Sequence, residues 1–167
     1  MTPKIEILMA TYNGETYIRE QIDSIINQTY KNWILLVRDD NSKDNTVSII
    51  EEYEKKDSRI RLLRDKKGNL GFVRNFEELM ANSLEDFIMF SDQDDYWIEN
   101  RIEKYIEIIT NLSSEDMEKP LLIHSNSFIC DKELNIKKEK FIFSLFYILK
   151  YLYILYIFYQ KLLILLL

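Results

Sequence analysis

Three carboxylates, Asp92, Asp94 and Asp95, fall within four residues of one another, directly after the apolar run Phe87-Ile88-Met89-Phe90. Where a buried strand breaks into a loop, such charges repel one another unless a cation or a ring of hydrogen-bond donors neutralises them. Oxygen-only ligands select a hard ion, Mg²⁺ or Mn²⁺, and an ion of that kind commonly carries substrate phosphates with it. The other reading of these residues is a solvated acidic turn that starts a helix near Trp97. A second acidic pair, Asp39-Asp40, follows Leu35-Leu36-Val37-Arg38. A carboxylate there can accept a hydrogen bond from a base N–H or a ribose hydroxyl, with Asp40 the favoured ligand. Asn41, Ser42 or Asp44 is expected to cap the helix ahead of Thr46. Tyr12 offers a flat face for stacking on a nucleobase. Arg74 suits a base or phosphate contact, or an exposed helical position. His124 and Cys130 are read as structural.

The elements that must position these residues alternate in type. Ile5 to Met9 reads as a buried strand, and Ile18, Ile22, Ile25 and Ile26 then recur at helical spacing. Trp33 to Val37, Ile60 to Leu63 and Phe87 to Phe90 are the next strands. Helices follow them through Val47, Ile50 and Tyr53, through Val73, Phe76 and Met80, and through Ile98, Ile102, Tyr105, Ile109 and Leu112. Four successive βα units imply a mostly parallel sheet with right-handed crossovers. Leu121 to Ile129 is expected to add a further strand near a sheet edge. In such an open sheet the loops leaving the carboxyl ends of the strands gather along one edge. Those loops are Thr11-Tyr12-Asn13-Gly14, Asp39 to Ser42, Lys67 to Gly71 and Asp92 to Asp95, and they contain all three glycines of the chain.

With 167 residues and 47% hydrophobic content, the chain can bury one core. A net charge of −6 provides no basic stripe for a phosphate backbone and argues against a nucleic-acid partner. The single cysteine excludes an internal disulfide and fits a reducing cytoplasm. No signal-peptide pattern opens the sequence. From Phe141 to Leu167 the composition changes to Phe, Ile, Leu and Tyr almost throughout. That stretch is long enough to span a bilayer, with Lys137, Lys138 and Lys140 before it favouring a cytoplasmic N-terminal side. Five tyrosines along it and Lys150 inside it weigh against a span and toward a frame-shifted or degenerate end. The organisation expected is one α/β domain over 1–140 and an apolar tail over 141–167.

Four segments, Ala10 to Gly14, Asp39 to Thr46, Asn69-Leu70-Gly71 to Asn75-Phe76, and Ser91 to Trp97, together resemble the family 2 glycosyltransferases, most closely bacterial rhamnosyltransferase-type enzymes that build cell-surface polysaccharides. The resemblance covers residues 4 to 135 and implies a Rossmann-like GT-A fold with helices on both faces of the sheet. It implies a nucleoside-diphosphate sugar donor, a dTDP- or UDP-sugar, a glycan or lipid-linked acceptor, and Mg²⁺ or Mn²⁺. Carried over by position, Thr11, Tyr12, Asn13, Asp39, Asp40, Gly71, Arg74, Asp92 and Asp94 would bind the donor. Asp95, with Asp94 second, would bind the metal. The implied reaction is an inverting transfer to an acceptor hydroxyl, placed in the cytoplasm or at the cytoplasmic face of the membrane.

The sequence departs from the family where the general base and acceptor site would lie. None of Asp131, Glu133 or Glu139 occupies a convincing equivalent position, and a missing base forgoes about 10²- to 10⁴-fold in rate. A truncated transferase is therefore expected, the alternative being a non-catalytic, membrane-associated nucleotide-sugar-binding remnant or scaffold. A haloacid-dehalogenase-like phosphatase is disfavoured because its Asp-x-Asp pair follows the first strand. A nucleotidyltransferase is disfavoured because residues 9 to 20 lack a glycine- and basic-rich loop.

Overall fold

The computed structural model describes residues 2–117, 122, 123, 125, 127–131, 133–140 and 162–164. Strand β1 (Ile5–Thr11) is buried along its whole length, as a parallel strand must be when both sheet faces are covered. It lies between β2 (Trp33–Asp39) and β4 (Phe87–Ser91), parallel to both, with Ile7 opposite Leu35 on one side and Met89 on the other. β3 (Ile60–Leu62) flanks β2. The order β3-β2-β1-β4 then dictates where the helices go. Right-handed crossovers from β1 to β2 to β3 put α1 (Ile18–Ile26) and α2 (Thr46–Lys56) on one face. The return from β3 across the sheet to β4 puts α3 (Phe72–Asn82) on the other.

Side-chain alternation along the strands builds a core on each face. Ile5, Ile7, Met9, Leu35, Val37 and Met89 pack with Ile18, Ile22 and Ile25 of α1, Ile49 and Ile50 of α2, and Ile102, Tyr105 and Ile109 of α4 (Arg101–Thr110). Leu8, Ala10, Leu36, Ile88 and Phe90 pack with Leu79 and Met80 of α3. The one charged residue inside β1, Glu6, is buried and accepts hydrogen bonds from the Ser83 hydroxyl at 2.6 Å and the Leu84 N–H at 2.8 Å. A carboxylate so satisfied ties the turn before β4 to the end of the sheet remote from the loops.

Several expectations need correcting. The described residues among 121–129 do not extend the main sheet as a single strand. Leu122 and Ile123 pack against the two cores from irregular backbone, and the strand is β5 (Ser127–Cys130), which pairs antiparallel with β6 (Ile136–Lys140) in a separate hairpin. The hairpin wins because Asp131 organises its turn, its Oδ1 accepting from the N–H groups of Glu133 and Asn135 while Leu134 takes a positive φ of 60°. The helix after β4 starts at Arg101 rather than near Trp97. Trp97 is buried in the preceding loop and Ile98 is 53% exposed. On α3, Val73 is exposed and the polar Asn75 is buried in its place. A short α5 (Ser114–Met117) follows α4, and β7 (Leu162–Ile164) runs parallel beside β4. His124 and most of the apolar tail lie outside the described residues. Among the described residues no helix is long and apolar enough to cross a membrane.

A core packed on both faces of β1 should tolerate truncation poorly. Ile7→Ala is expected to cost about 2–5 kcal/mol in urea unfolding. Leu84→Ala, at a position 82% exposed, should stay within about 0.5 kcal/mol of the parent.

Candidate functional site

Strand order reverses between β1 and β4, so the loops leaving their carboxyl ends flank the crevice where open α/β sheets bind ligands. The loop after β1 is stitched to the loop after β2 residue by residue. Asn13, at φ 48°, donates its N–H to the Ser42 hydroxyl and accepts the Lys43 N–H on its side chain, both at 2.8 Å. The Gly14 N–H reaches the Thr46 hydroxyl at 2.8 Å, and Glu15 accepts the Asn45 N–H at 2.9 Å. Asp39 accepts the Thr11 hydroxyl at 2.9 Å and the Ser42 N–H at 2.8 Å. Of the three expected helix caps, only Asp44 acts near the start of α2, accepting the Thr46 N–H at 3.0 Å. Burial pushes the Asp44 pKa up, but hydrogen bonds from Thr46 and from backbone N–H groups outweigh it and hold it below the usual carboxylate range.

Behind these loops sits Arg38, 1% exposed, with every N–H of its guanidinium engaged. Nε and Nη2 donate to the two Asp65 oxygens at 2.7 and 3.2 Å. Nη1 donates to Asp40 at 2.9 Å and Asn75 at 3.1 Å, and Nη2 also to the Gly68 carbonyl at 3.0 Å. Five donors matched by five acceptors is the full capacity of the group. Burial alone would lower the Arg38 pKa, and the hydrogen bonds to Asp65 and Asp40 reverse that and raise it. The bond from Arg38, in turn, holds Asp65 below the usual carboxylate range. Asp40, 3% exposed, accepts the N–H groups of Leu70 at 2.7 Å and Gly71 at 2.8 Å. Those bonds fix the turn into α3, where Gly71 takes φ 78°.

The acidic loop is joined to the loop after β1 by a side chain that mimics a strand. Gln93 accepts the Tyr12 N–H at 2.8 Å and donates to the Tyr12 carbonyl at 3.0 Å. Gly14 makes room for it, since a Cβ there would lie 2.3 Å from Gln93 Oε1. Buried Ser91 accepts from Gln21 of α1 at 2.7 Å, and the Trp97 N–H reaches Ser24 at 3.2 Å. Between these anchors Asp94 and Asp95 are exposed and Asp92 is half-buried. Arg101 lies below them with its guanidinium 4.7 Å from the Trp97 ring centre, its pKa lowered by burial and partly restored by Tyr105 and Asp95.

The structure thus brings Thr11, Tyr12, Asn13, Asp39 and Asp40 to one edge with Gly71 and the acidic loop. Tyr12 is 50% exposed, and Arg74 is exposed on α3. Sequence reasoning missed Arg38, Asp65, Asn75 and Gln93. A charged residue in the otherwise apolar β2 run, and an amide between two acidic residues, were the available signals. Asp94 and Asp95 offer only oxygen donors, a set that would suit a hard ion. Among the described residues no cluster of three or more His, Cys, Asp or Glu is placed to hold an ion, and one or two carboxylates plus phosphate oxygens is a common Mg²⁺ arrangement.

Residues 6–115 match the model of Glycosyl transferase family 2, and the chain belongs to that family. It is 39% identical over 130 residues to the UDP-Glc:alpha-D-GlcNAc-diphosphoundecaprenol beta-1,3-glucosyltransferase WfgD of Escherichia coli, covering 77% of this chain and 49% of that protein. It is 41% identical over 105 residues to the dTDP-rhamnosyl transferase RfbG of Shigella flexneri, covering 60% and 36%. The chain therefore spans about half or less of the length of these relatives. The fold is shared with GT-A glycosyltransferases. S. aureus TarS 1-349 in complex with UDP-GlcNAc matches with a TM-score of 0.62 at 22% identity, covering 81% of this chain and 37% of that one. The mannosyltransferase PcManGT from Pyrobaculum calidifontis, in complex with GDP-Man and Mn²⁺, matches with a TM-score of 0.53 at 21% identity, covering 58% and 29%.

Two outcomes follow from the geometry. Gly14→Ala should displace Gln93 and cost about 1–3 kcal/mol, yet cost little more in a Gln93→Ala background, a coupling that a double-mutant cycle in urea reads directly. Asp65, depressed in the folded state against about 3.9 unfolded, contributes stability that is present above that value and lost as pH falls through the folded one. Unfolding free energy should therefore drop on acidification below about pH 4, and more shallowly in Asp65→Asn.

Proposed function

We propose that the chain is the donor-binding part of a glycosyltransferase that moves a sugar from a UDP- or dTDP-sugar to an acceptor hydroxyl in cell-surface polysaccharide synthesis. The observation that carries this reading is the gathering, along the carboxyl edge of neighbouring strands β2, β1 and β4, of a buried Asp40, a half-exposed Tyr12 and two exposed carboxylates, Asp94 and Asp95. Tyr12 stacks on the base, while Thr11, Asn13 and Asp39 shape the pocket edge through the bonds they make to one another's loops. Asp40 and Gly71 form its wall, Arg74 approaches from α3, and Asp92 and Asp94 face the ribose and sugar.

Asp95, with Asp94 second, would hold Mg²⁺ or Mn²⁺. The bound ion supplies charge neutralisation for the diphosphate leaving group. Gln93 keeps the acidic loop at a fixed distance from the base-stacking residue, so base and diphosphate are read by one rigid unit. Transfer by single displacement inverts the anomeric carbon and needs a base to take the acceptor proton. The relatives support this reading: WfgD is a UDP-Glc-dependent glucosyltransferase and RfbG a dTDP-rhamnosyl transferase.

Titration calorimetry with UDP and dTDP tests it. The chain should bind at least one of them more tightly with Mn²⁺ than without, and absence of binding in both cases would overturn the reading. Asp95→Ala should keep the circular dichroism spectrum and lose the Mn²⁺ enhancement. Retention of the full enhancement would move the metal ligand to Asp94 or Asp92.

A further inference from the structure

Helix α1 turns a polar stripe inward. Gln21 and Ser24, with Gln28 just past the end of the helix, are spaced three and four apart and so share one side, and all three are buried. Among the described residues, every bond these side chains make outside their own helix goes to the segment 91–102. The Gln21 amide donates to the Ser91 hydroxyl at 2.7 Å, and that hydroxyl, with its single proton, donates to the Asp92 carbonyl at 3.0 Å. A relay of two bonds thus fixes the entry to the acidic loop from α1. At the exit, the Ser24 hydroxyl donates to the Gln21 carbonyl at 2.7 Å and accepts the Trp97 N–H at 3.2 Å. Gln28 then donates to the Ile98 carbonyl at 2.8 Å and accepts the Ile102 N–H at 3.1 Å. Gln21 and Ser24 stand about 4.5 Å apart along the helix axis, so residues 92–96 form a loop with both feet on one turn of α1.

An apolar stripe would bury as well, but it would leave the strand end and the loop free to slide. Satisfied buried hydrogen bonds are directional and select one arrangement. That matters for Asp94 and Asp95, which are exposed on this loop, because carboxylates share one small ion only when their oxygens reach about 2.0–2.1 Å from it. We infer that Gln21 and Ser24 are positioning residues for metal binding, setting the span of the acidic loop from beneath. The inference rests on the donor-binding reading above and adds to it the residues that hold the loop's geometry. The base-facing side is held by other bonds, from Thr11 to Asp39 and from Arg38 to Asp40, so Gln21 and Ser24 act on the ion through the loop and leave nucleotide contacts alone.

The test is calorimetric titration of the full chain, its Gln21→Met variant and its Ser24→Ala variant with UDP and with dTDP, each with and without Mn²⁺. Glu6→Gln, whose bonds lie at the opposite end of the sheet, controls for lost stability. The parent should bind at least one of the nucleotides, and more tightly with Mn²⁺. Gln21→Met and Ser24→Ala should each weaken binding in Mn²⁺ by about three- to tenfold, the worth of one hydrogen bond, while Mn²⁺-free affinity stays within about twofold. Glu6→Gln should lower the urea midpoint and keep the parent's Mn²⁺ enhancement. Equal weakening with and without Mn²⁺ would make the stripe a support of the fold alone and overturn the inference. An unchanged enhancement in either folded variant, or a matching loss in Glu6→Gln, would overturn it as well. A parent that binds nucleotide equally with and without Mn²⁺ would overturn it while leaving nucleotide binding intact. Binding of neither nucleotide by the parent would remove the donor-binding reading too. Should Gln21→Met fail to fold by circular dichroism, Ser24→Ala, which removes a single oxygen, carries the test.

Discussion

A guanidinium buried at the carboxyl end of β2 must have a partner for each of its five N–H groups, and satisfying that requirement determines how the ligand edge of this protein is built. Desolvating an arginine is costly unless charge and hydrogen bonds are both returned to it. Here two carboxylates, one amide oxygen and one peptide carbonyl do so. They come from three parts of the chain: Asp40 at the end of β2, Asp65 and Gly68 in the loop after β3, and Asn75 in the first turns of α3. Loops that would otherwise be held by a few surface contacts are drawn onto one interior point. Because breaking one member leaves another charge buried and unpaired, these elements can keep their mutual positions or lose them together.

Two acidic pairs at this edge of the sheet illustrate opposite solutions to one electrostatic problem. Adjacent carboxylates repel, and the relief comes from donors or from a cation. At Asp39-Asp40 the protein supplies the donors itself, from Thr11, Ser42, Arg38, Leu70 and Gly71. At Asp94-Asp95 both residues are left exposed on a loop whose ends are tied down by Gln93 and Trp97. The first arrangement makes a rigid wall. The second keeps negative charge at a solvent-facing edge while the backbone that bears it stays in place.

Most of the frame was legible because it rests on local rules. Apolar runs at Ile5, Trp33 and Phe87 and isoleucines at helical spacing in α1 specify elements that tertiary packing then leaves alone. The order of the elements assigns faces through the handedness of crossovers. What was not legible depends on partners distant in sequence. Arg38 reads as a blemish in an apolar strand until Asp65 and Asn75 are brought beside it, 27 and 37 positions away. Gln93 reads as a spacer between carboxylates until Tyr12 is placed opposite it. The strand expected after α4 was misplaced because Ile123 is buried and Leu122 half-buried without joining a ladder, while Ser127–Cys130 finds a strand partner in Ile136–Lys140.

The Gln93 bridge grips the main chain of residue 12 and ignores its side chain. The spacing between the aromatic position and the acidic loop is therefore independent of which amino acid occupies position 12. An engineer could vary that ring, or remove it, without shifting the carboxylates. The side chain at position 12 and the acidic edge can be altered one at a time.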